Sequence, residues 1–169
     1  MKVFDCITYF NEDGILSLRF EKLNKVVDYF VIIECSHVHS GNYKGRNFDI
    51  NKFEKFKEKI IYRYADITED KELLYKAKYN KLVIENYQRN YIKNALNYAN
   101  DEDLVIISDC DEIPNLNKKL ISKIIKGKYF KNYFFIQKFY YYKPNLQLFE
   151  KFFFFYKQVR WLGSKLIKK

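Results

Sequence analysis

The sequence predicts an α/β fold with a mostly parallel sheet, and three observations carry that prediction. Short apolar runs alternate with stretches of helical spacing, Gly, Asn and Asp punctuate the junctions, and the last third turns β-like and aromatic. A chain of 169 residues suits one domain and one core, burying roughly 70% of its unfolded surface. Hydrophobic residues at 48% and charged residues at 31% are globular values, and no segment nears the ~20 uninterrupted apolar residues of a membrane span.

Taken in order, Val3 to Tyr9 (VFDCITY) reads as a buried strand, broken by Asn11-Glu12-Asp13-Gly14. A helix follows, with apolar positions at Ile15, Leu16, Leu18, Leu23 and Val26. Tyr29 to Cys35 (YFVIIEC) is a second strand ending in an acid, and a polar loop with Gly41 and Gly45 leaves it. IIYRY (60–64) is the third strand. Leu82 through Ala99 sets Ile84, Tyr87, Tyr91, Ile92, Ala95, Leu96 and Ala99 at helical spacing, and a fourth strand starts at about Leu104. Right-handed crossovers between parallel strands put ligands beyond their carboxyl ends, where the strand order reverses. With order 3-2-1-4, that crevice is flanked by Asn11-Glu12 and by Asp109-Cys110-Asp111. Residues 129–156 hold 15 Tyr or Phe in two β-like runs, 133–142 and 148–159, which no linker separates from the rest. They are expected as a final aromatic-rich pair of strands in the same domain.

The formal charge of +10 is unevenly placed: residues 1–112 carry net −3 and residues 113–169 net +13. A basic end suits phosphate, nucleic acid or an anionic membrane surface, although Lys, Asn and Ile abound everywhere, as in an AT-rich coding sequence. Cys6, Cys35 and Cys110 are widely spaced with no CxxC, which predicts reduced, buried thiols rather than disulfides or a zinc site. Met1-Lys2-Val3-Phe4-Asp5 does not read as a leader peptide, because an acid and a Thr interrupt the apolar region. The expected location is cytoplasmic, with peripheral membrane contact through the basic end.

The chemistry concentrates in LVIISDCDEIP (104–114), where a buried strand runs straight into three acids. Asp-x-Asp at a strand end turns two hard carboxylates toward one site, which suits Mg²⁺ or Mn²⁺ rather than zinc. His37 and His39 share a strand-like spacing but lack a third soft ligand nearby, so a loop pair on the pocket rim is expected.

FDCITYFNED (4–13), VVDYFVIIECS (26–36), NFDI (47–50), ENYQRN (85–90) and ISDCDEIP (107–114) resemble, in that order, glycosyltransferase family 17. The resemblance runs from Phe4 to about Gly163. It implies a GT-A-like, Rossmann-type sheet and transfer of N-acetylglucosamine from UDP-GlcNAc to a glycan acceptor, with inversion of the sugar's configuration expected. Asp109 and Asp111 would be the metal ligands for Mn²⁺ or Mg²⁺, Asn11 and Glu12 would line the nucleotide pocket, and Glu34 would face the ribose or base. Arg89 and Asn90 would approach the diphosphate or brace the Asp-x-Asp. Each has a plainer reading: Glu12 as a helix N-terminal acid, Glu34 as a solvated strand end, Glu85 with Arg89 as a surface pair.

Family members continue beyond the point matching Trp161-x-Gly163. The resemblance therefore implies a single domain over 1–169 with a nucleotide-sugar-binding half, 1–112, and a truncated acceptor-side half, 113–169. Donor binding is expected to persist where transfer is weak or absent. Inverting transfer needs a carboxylate base, and after Glu112 the only acid is Glu150. Asp111 and Glu112 are accordingly the catalytic candidates. Two other readings remain open. A Toprim-like nucleic-acid enzyme would pair Glu34 with Asp109 and Asp111, against which Cys35 stands where Gly is expected, and specific nucleic-acid binding is not expected. A non-catalytic domain docking on membrane or glycan is the other.

Overall fold

The computed structural model describes residues 1–127, 132–138, 140, 147, 149–152, 155–158 and 160–169. Its centre is a six-stranded sheet of order β3-β2-β1-β4-β8-β5. The strands are β1 (Val3–Thr8), β2 (Tyr29–Cys35), β3 (Ile60–Ala65), β4 (Leu104–Ser108), β5 (Asn132–Lys138) and β8 (Arg160–Lys168). β1 to β4 pair in parallel in the order 3-2-1-4, so the sheet has the expected mostly parallel, Rossmann-like character.

β1 shows why a central strand reads as nearly unbroken apolar sequence: it is buried on both faces. Val3 and Ile7 join one core with α1 (Asp13–Leu23) and α5 (Lys118–Ile125), while Phe4 and Cys6 join the other with α4 (Ile92–Ala95). Phe20 of α1 sits among Phe30, Phe53 and Phe56 with ring centroids 4.4, 5.3 and 5.3 Å away. Truncating such a side chain typically costs about 3–5 kcal/mol. A smaller cluster joins Cys35 and Ile67 to α2 (Lys71–Ala77) and α3 (Leu82–Asn90). All three cysteines are buried free thiols, as expected.

Where the elements differ from expectation, local chemistry accounts for it. The helix expected over 82–99 is split at Tyr91 into α3 and α4. Its continuation tightens into i→i+3 bonds, Asn94 to Tyr91 and Leu96 to Lys93, in a stretch whose Asn residues favour turns. Ile92, Ala95 and Ala99 still face inward, so the apolar spacing survives the break. α2, α5 and a 3₁₀ segment (Ile50–Lys59) go unpredicted. Asp70 and Asn117 cap α2 and α5 by accepting from Leu73 and Leu120 backbone amides at 2.9 Å each.

The aromatic third needs the larger correction. Only β5 of the two runs enters the main sheet; the second run contains β6 (Phe149–Phe152) and β7 (Phe155–Gln158), paired in a separate two-stranded sheet. Beyond β5, Tyr140 makes an isolated antiparallel bridge to Gln147, and the rest of both runs lies outside the described residues. The strand beside β4 is instead β8, antiparallel to both β4 and β5. Its Ser164 and Leu166 point inward between Lys165, Ile167 and Lys168. That is the period-two pattern of a half-buried strand, hidden in sequence by its basic charge.

Two fully buried carboxylates of the central strands fasten neighbouring elements to the sheet. Asp5 of β1 takes Arg19 of α1 in a bidentate pair at 2.7 Å to each oxygen, both side chains having 0% exposure. The same guanidinium donates to Ser108 Oγ at 2.5 Å and to the carbonyls of Asp109, Cys110 and Glu112 at 3.0, 3.2 and 3.1 Å. Burial opposes its charge, yet Asp5 outweighs burial and holds the Arg19 pKa above its ordinary value. Glu34 of β2 receives Lys44 Nζ at 2.5 Å, Tyr62 Oη at 2.7 Å and the amides of Asn47 and Phe48 at 2.8 and 3.1 Å.

Arg19→Met should therefore cost about 3–5 kcal/mol in urea unfolding, because Asp5 stays buried and unpaired. The double variant Asp5→Leu/Arg19→Met should recover only part of that, since the three loop carbonyls still lack donors. Glu34 has a second, pH-dependent signature. Burial raises its pKa, but Lys44, Tyr62 and the two amides more than reverse this, leaving it below the ordinary carboxylate value. Its stabilisation is present above the unfolded value of ~4.3 and is lost as pH falls through the lower folded value. The stability gap between the parent and Glu34→Gln, from urea midpoints at pH 7, 5 and 4, should be widest at pH 7 and close toward acid.

Candidate functional site

A cleft of about 490 Å³ opens at the carboxyl ends of β1 and β4. This is where the strand order reverses, between β1, which leads outward to β2 and β3, and β4 on its other side. Thr8, Tyr9, Phe10, Glu12 and Ile15 line it from the β1 end, and Asp109, Cys110 and Asp111 from the β4 end. Glu85 and Gln88 of α3 and His39 from the loop after β2 complete the wall.

The β1 side is shaped by one unusual backbone position. Asn11 adopts φ 62°, a left-handed conformation that Asn tolerates better than most residues. The turn brings the Glu12 carboxylate back to accept from the Phe10 amide at 2.5 Å, and this carboxylate makes no side-chain cap to α1. Burial raises the Glu12 pKa, the Phe10 amide opposes that rise, and the charge of Asp111 adds to it. Asn11 itself is exposed and outside the cleft lining, so its contribution is the bend.

On the β4 side, Cys110 is turned inward at 4% exposure while Asp109 and Asp111 both line the cleft. Burial pushes the Cys110 thiol up to about 12, with Glu12 adding to the shift. Arg89 donates to Asp109 Oδ1 at 2.6 Å and to Glu85 at 3.2 Å. One side chain thus pairs along α3 with Glu85 and across the cleft wall with Asp109. Behind the acids, the Arg19 fan to the carbonyls of Asp109, Cys110 and Glu112 fixes the backbone on which they stand.

The other predicted residues are dispersed. Glu112 receives the Asp109 amide at 3.2 Å on one carboxylate oxygen and the Trp161 indole N–H on the other, and its carbonyl accepts from Ser164 Oγ at 2.5 Å. It clasps β8 to the loop and does not line the cleft. Glu34 is spent on the 44–48 loop, also away from the lining, and neither a solvated strand end nor a partner of Asp109 and Asp111. Asn90 is exposed at the end of α3. The histidines part company: His39 faces the cleft, while His37 is 6% exposed, bonded to Ser36 Oγ at 2.8 Å, with burial lowering its pKa.

Sequence reasoning passed over Arg19, Tyr9 and Gln88. Gln88 is buried in the cleft wall, donating to the Ile33 carbonyl at 2.7 Å. Arg19 had a readable signal: it sits on the apolar stripe of α1 between Leu16 and Phe20, and Asp5 is the lone acid inside an apolar strand. A charge on each of two buried surfaces of neighbouring elements points to an ion pair.

No helix among the described residues is long and apolar enough to cross a membrane. No curated protein matches the chain. The model of glycosyltransferase family 17 matches residues 1–143, a span that holds both cleft-forming loops, α3 and the Arg19 anchor, and the chain belongs to that family.

Proposed function

We propose that this family member transfers N-acetylglucosamine from UDP-GlcNAc to a glycan acceptor, with the donor diphosphate in the β1–β4 cleft and a divalent cation held by Asp109 and Asp111. The observation that carries the reading is the convergence of Glu12, Asp109 and Asp111 on one cleft at the switch point. Carboxylates lining one cleft repel a diphosphate unless a cation stands between them.

The donor set fits Mg²⁺ or Mn²⁺. Its oxygens are hard, and among the described residues no group of three or more His, Cys, Asp or Glu is gathered closely enough to cage a metal. Mg²⁺ is commonly held by one or two carboxylates, with waters and substrate phosphates as the other ligands. Bound there, the ion would neutralise charge developing on the departing diphosphate. The chain's own residues do the rest. Arg89 holds Asp109 in place, Arg19 fixes the loop, and Gln88 and Tyr9 give the cleft a rigid wall. In this reading Glu112 shapes the loop, because serving as the base would require it to leave Trp161 and the Asp109 amide. Its supporting role also ties β8, on the acceptor side, to the acids.

Calorimetry with UDP-GlcNAc tests the proposal. Binding should require Mn²⁺ or Mg²⁺, and Asp111→Asn should remove the metal effect; equal affinity in EDTA would refute the reading. Arg89→Leu should weaken donor binding about 10- to 100-fold, the worth of a charged hydrogen bond, while leaving the urea midpoint within ~0.5 kcal/mol, since Arg89 is 41% exposed. Unchanged affinity in that variant would remove Arg89 from the site.

A further inference from the structure

The apolar face that α4 covers over β1, β2 and β4 continues past α4 onto β8 and β5. Ile167 of β8 still packs into the α4 core. Farther out, register places Phe134 opposite Lys165 and, beyond a bulge in which β8 gains one residue, Ile136 opposite Leu162 and Lys138 opposite Arg160. Phe134, Ile136 and Leu162 are 44%, 66% and 59% exposed. On the opposite face of the same strands, Phe135 and Leu166 are buried at 7% and 0%. Around Phe135 and Leu166 the two strands therefore bury one face in the protein, and they turn a second apolar face outward.

The rim of this outward face is positive. Lys138 and Arg160 are exposed beside Ile136 and Leu162, and Lys165 stands over the Phe134 ring at 5.5 Å. Neither strand contains an acid, and residues 113–169 carry 14 basic residues against the single Glu150. We propose that this β5/β8 face docks on an anionic lipid bilayer, with Ile136, Leu162 and Phe134 entering the headgroup layer and Lys138, Arg160 and Lys165 pairing with lipid phosphates. Charge and shape both select that occupant. A second copy would set one positive face against another. Duplex nucleic acid would match the charge but offers nothing to two protruding aliphatic side chains, whereas the acyl boundary accepts them. The inference is independent of the donor-site reading, because it uses no residue of the cleft.

Vesicle flotation tests it, with phosphatidylcholine alone and with one-third phosphatidylglycerol. The full chain should float only with the anionic vesicles, and binding should fall as salt rises. Ile136→Asn/Leu162→Asn and Lys138→Glu/Arg160→Glu should each cut partitioning at least tenfold. Circular dichroism and thermal melting confirm that both variants are folded, and if the apolar pair is not, Leu162→Asn alone replaces it. Failure to bind anionic vesicles would overturn the proposal. So would binding that the apolar substitutions leave intact, or tighter binding to duplex DNA than to the vesicles with loss on charge reversal alone.

Discussion

The guanidinium of Arg19 is the point on which the cleft depends. A buried charge is tolerated only when its partners satisfy it, and here Asp5, Ser108 and three carbonyls together occupy all five N–H groups. The pair joins β1 to α1, and the carbonyl contacts join α1 to the loop after β4. A loop carrying two carboxylates toward the same space would otherwise relax to separate them. Fixing its backbone from behind, with a cation that solvent does not reach, keeps Asp109 and Asp111 directed into the cleft without neutralising either side chain.

Around that anchor, the polar groups fall into those that hold loops and those left facing the cleft. Glu34 and Glu112 belong to the first kind, each accepting several donors within the protein. Glu12, Asp109 and Asp111 belong to the second, and Arg89 meets one of them, Asp109, directly. The division follows from position. Glu34 sits inside the last turn of the sheet, beneath the 44–48 loop, where an unpaired carboxylate could not persist. Asp111 stands one residue beyond the buried Cys110, where the chain has already left the sheet.

The basic C-terminal third has a similar division along the length of one strand. The inner half of β8 completes the core through Ser164, Leu166 and Ile167. Its outer half, Arg160 to Leu162, is exposed, and there Trp161 reaches back to Glu112. One strand thus links the outward face to the loop that carries the acids. Charge that reads in sequence as a basic end is partly the alternation of a structural strand.

The sequence by itself determined the strands of the parallel core, the loops that follow them and the family; the 3-2-1-4 order entered as a condition that the pairing of the strands met. Those features are local: apolar runs such as VFDCIT and LVIIS declare strands, and the acids that follow them mark strand ends. It also showed the pair Asp109 and Asp111, because their spacing and the strand before them lie within one short segment. Tertiary structure decided the rest. Whether Glu34 faces a ligand or a loop depends on Lys44 and Tyr62, ten and 28 residues away, and Arg19 acquires its meaning from carbonyls about 90 residues on. The place of β8 beside β4 depends on which edge of the sheet remains unpaired once β1 to β4 are assembled. A carboxylate or a guanidinium looks the same in sequence whether solvated or buried; the partners that settle its state are gathered only when distant segments pack.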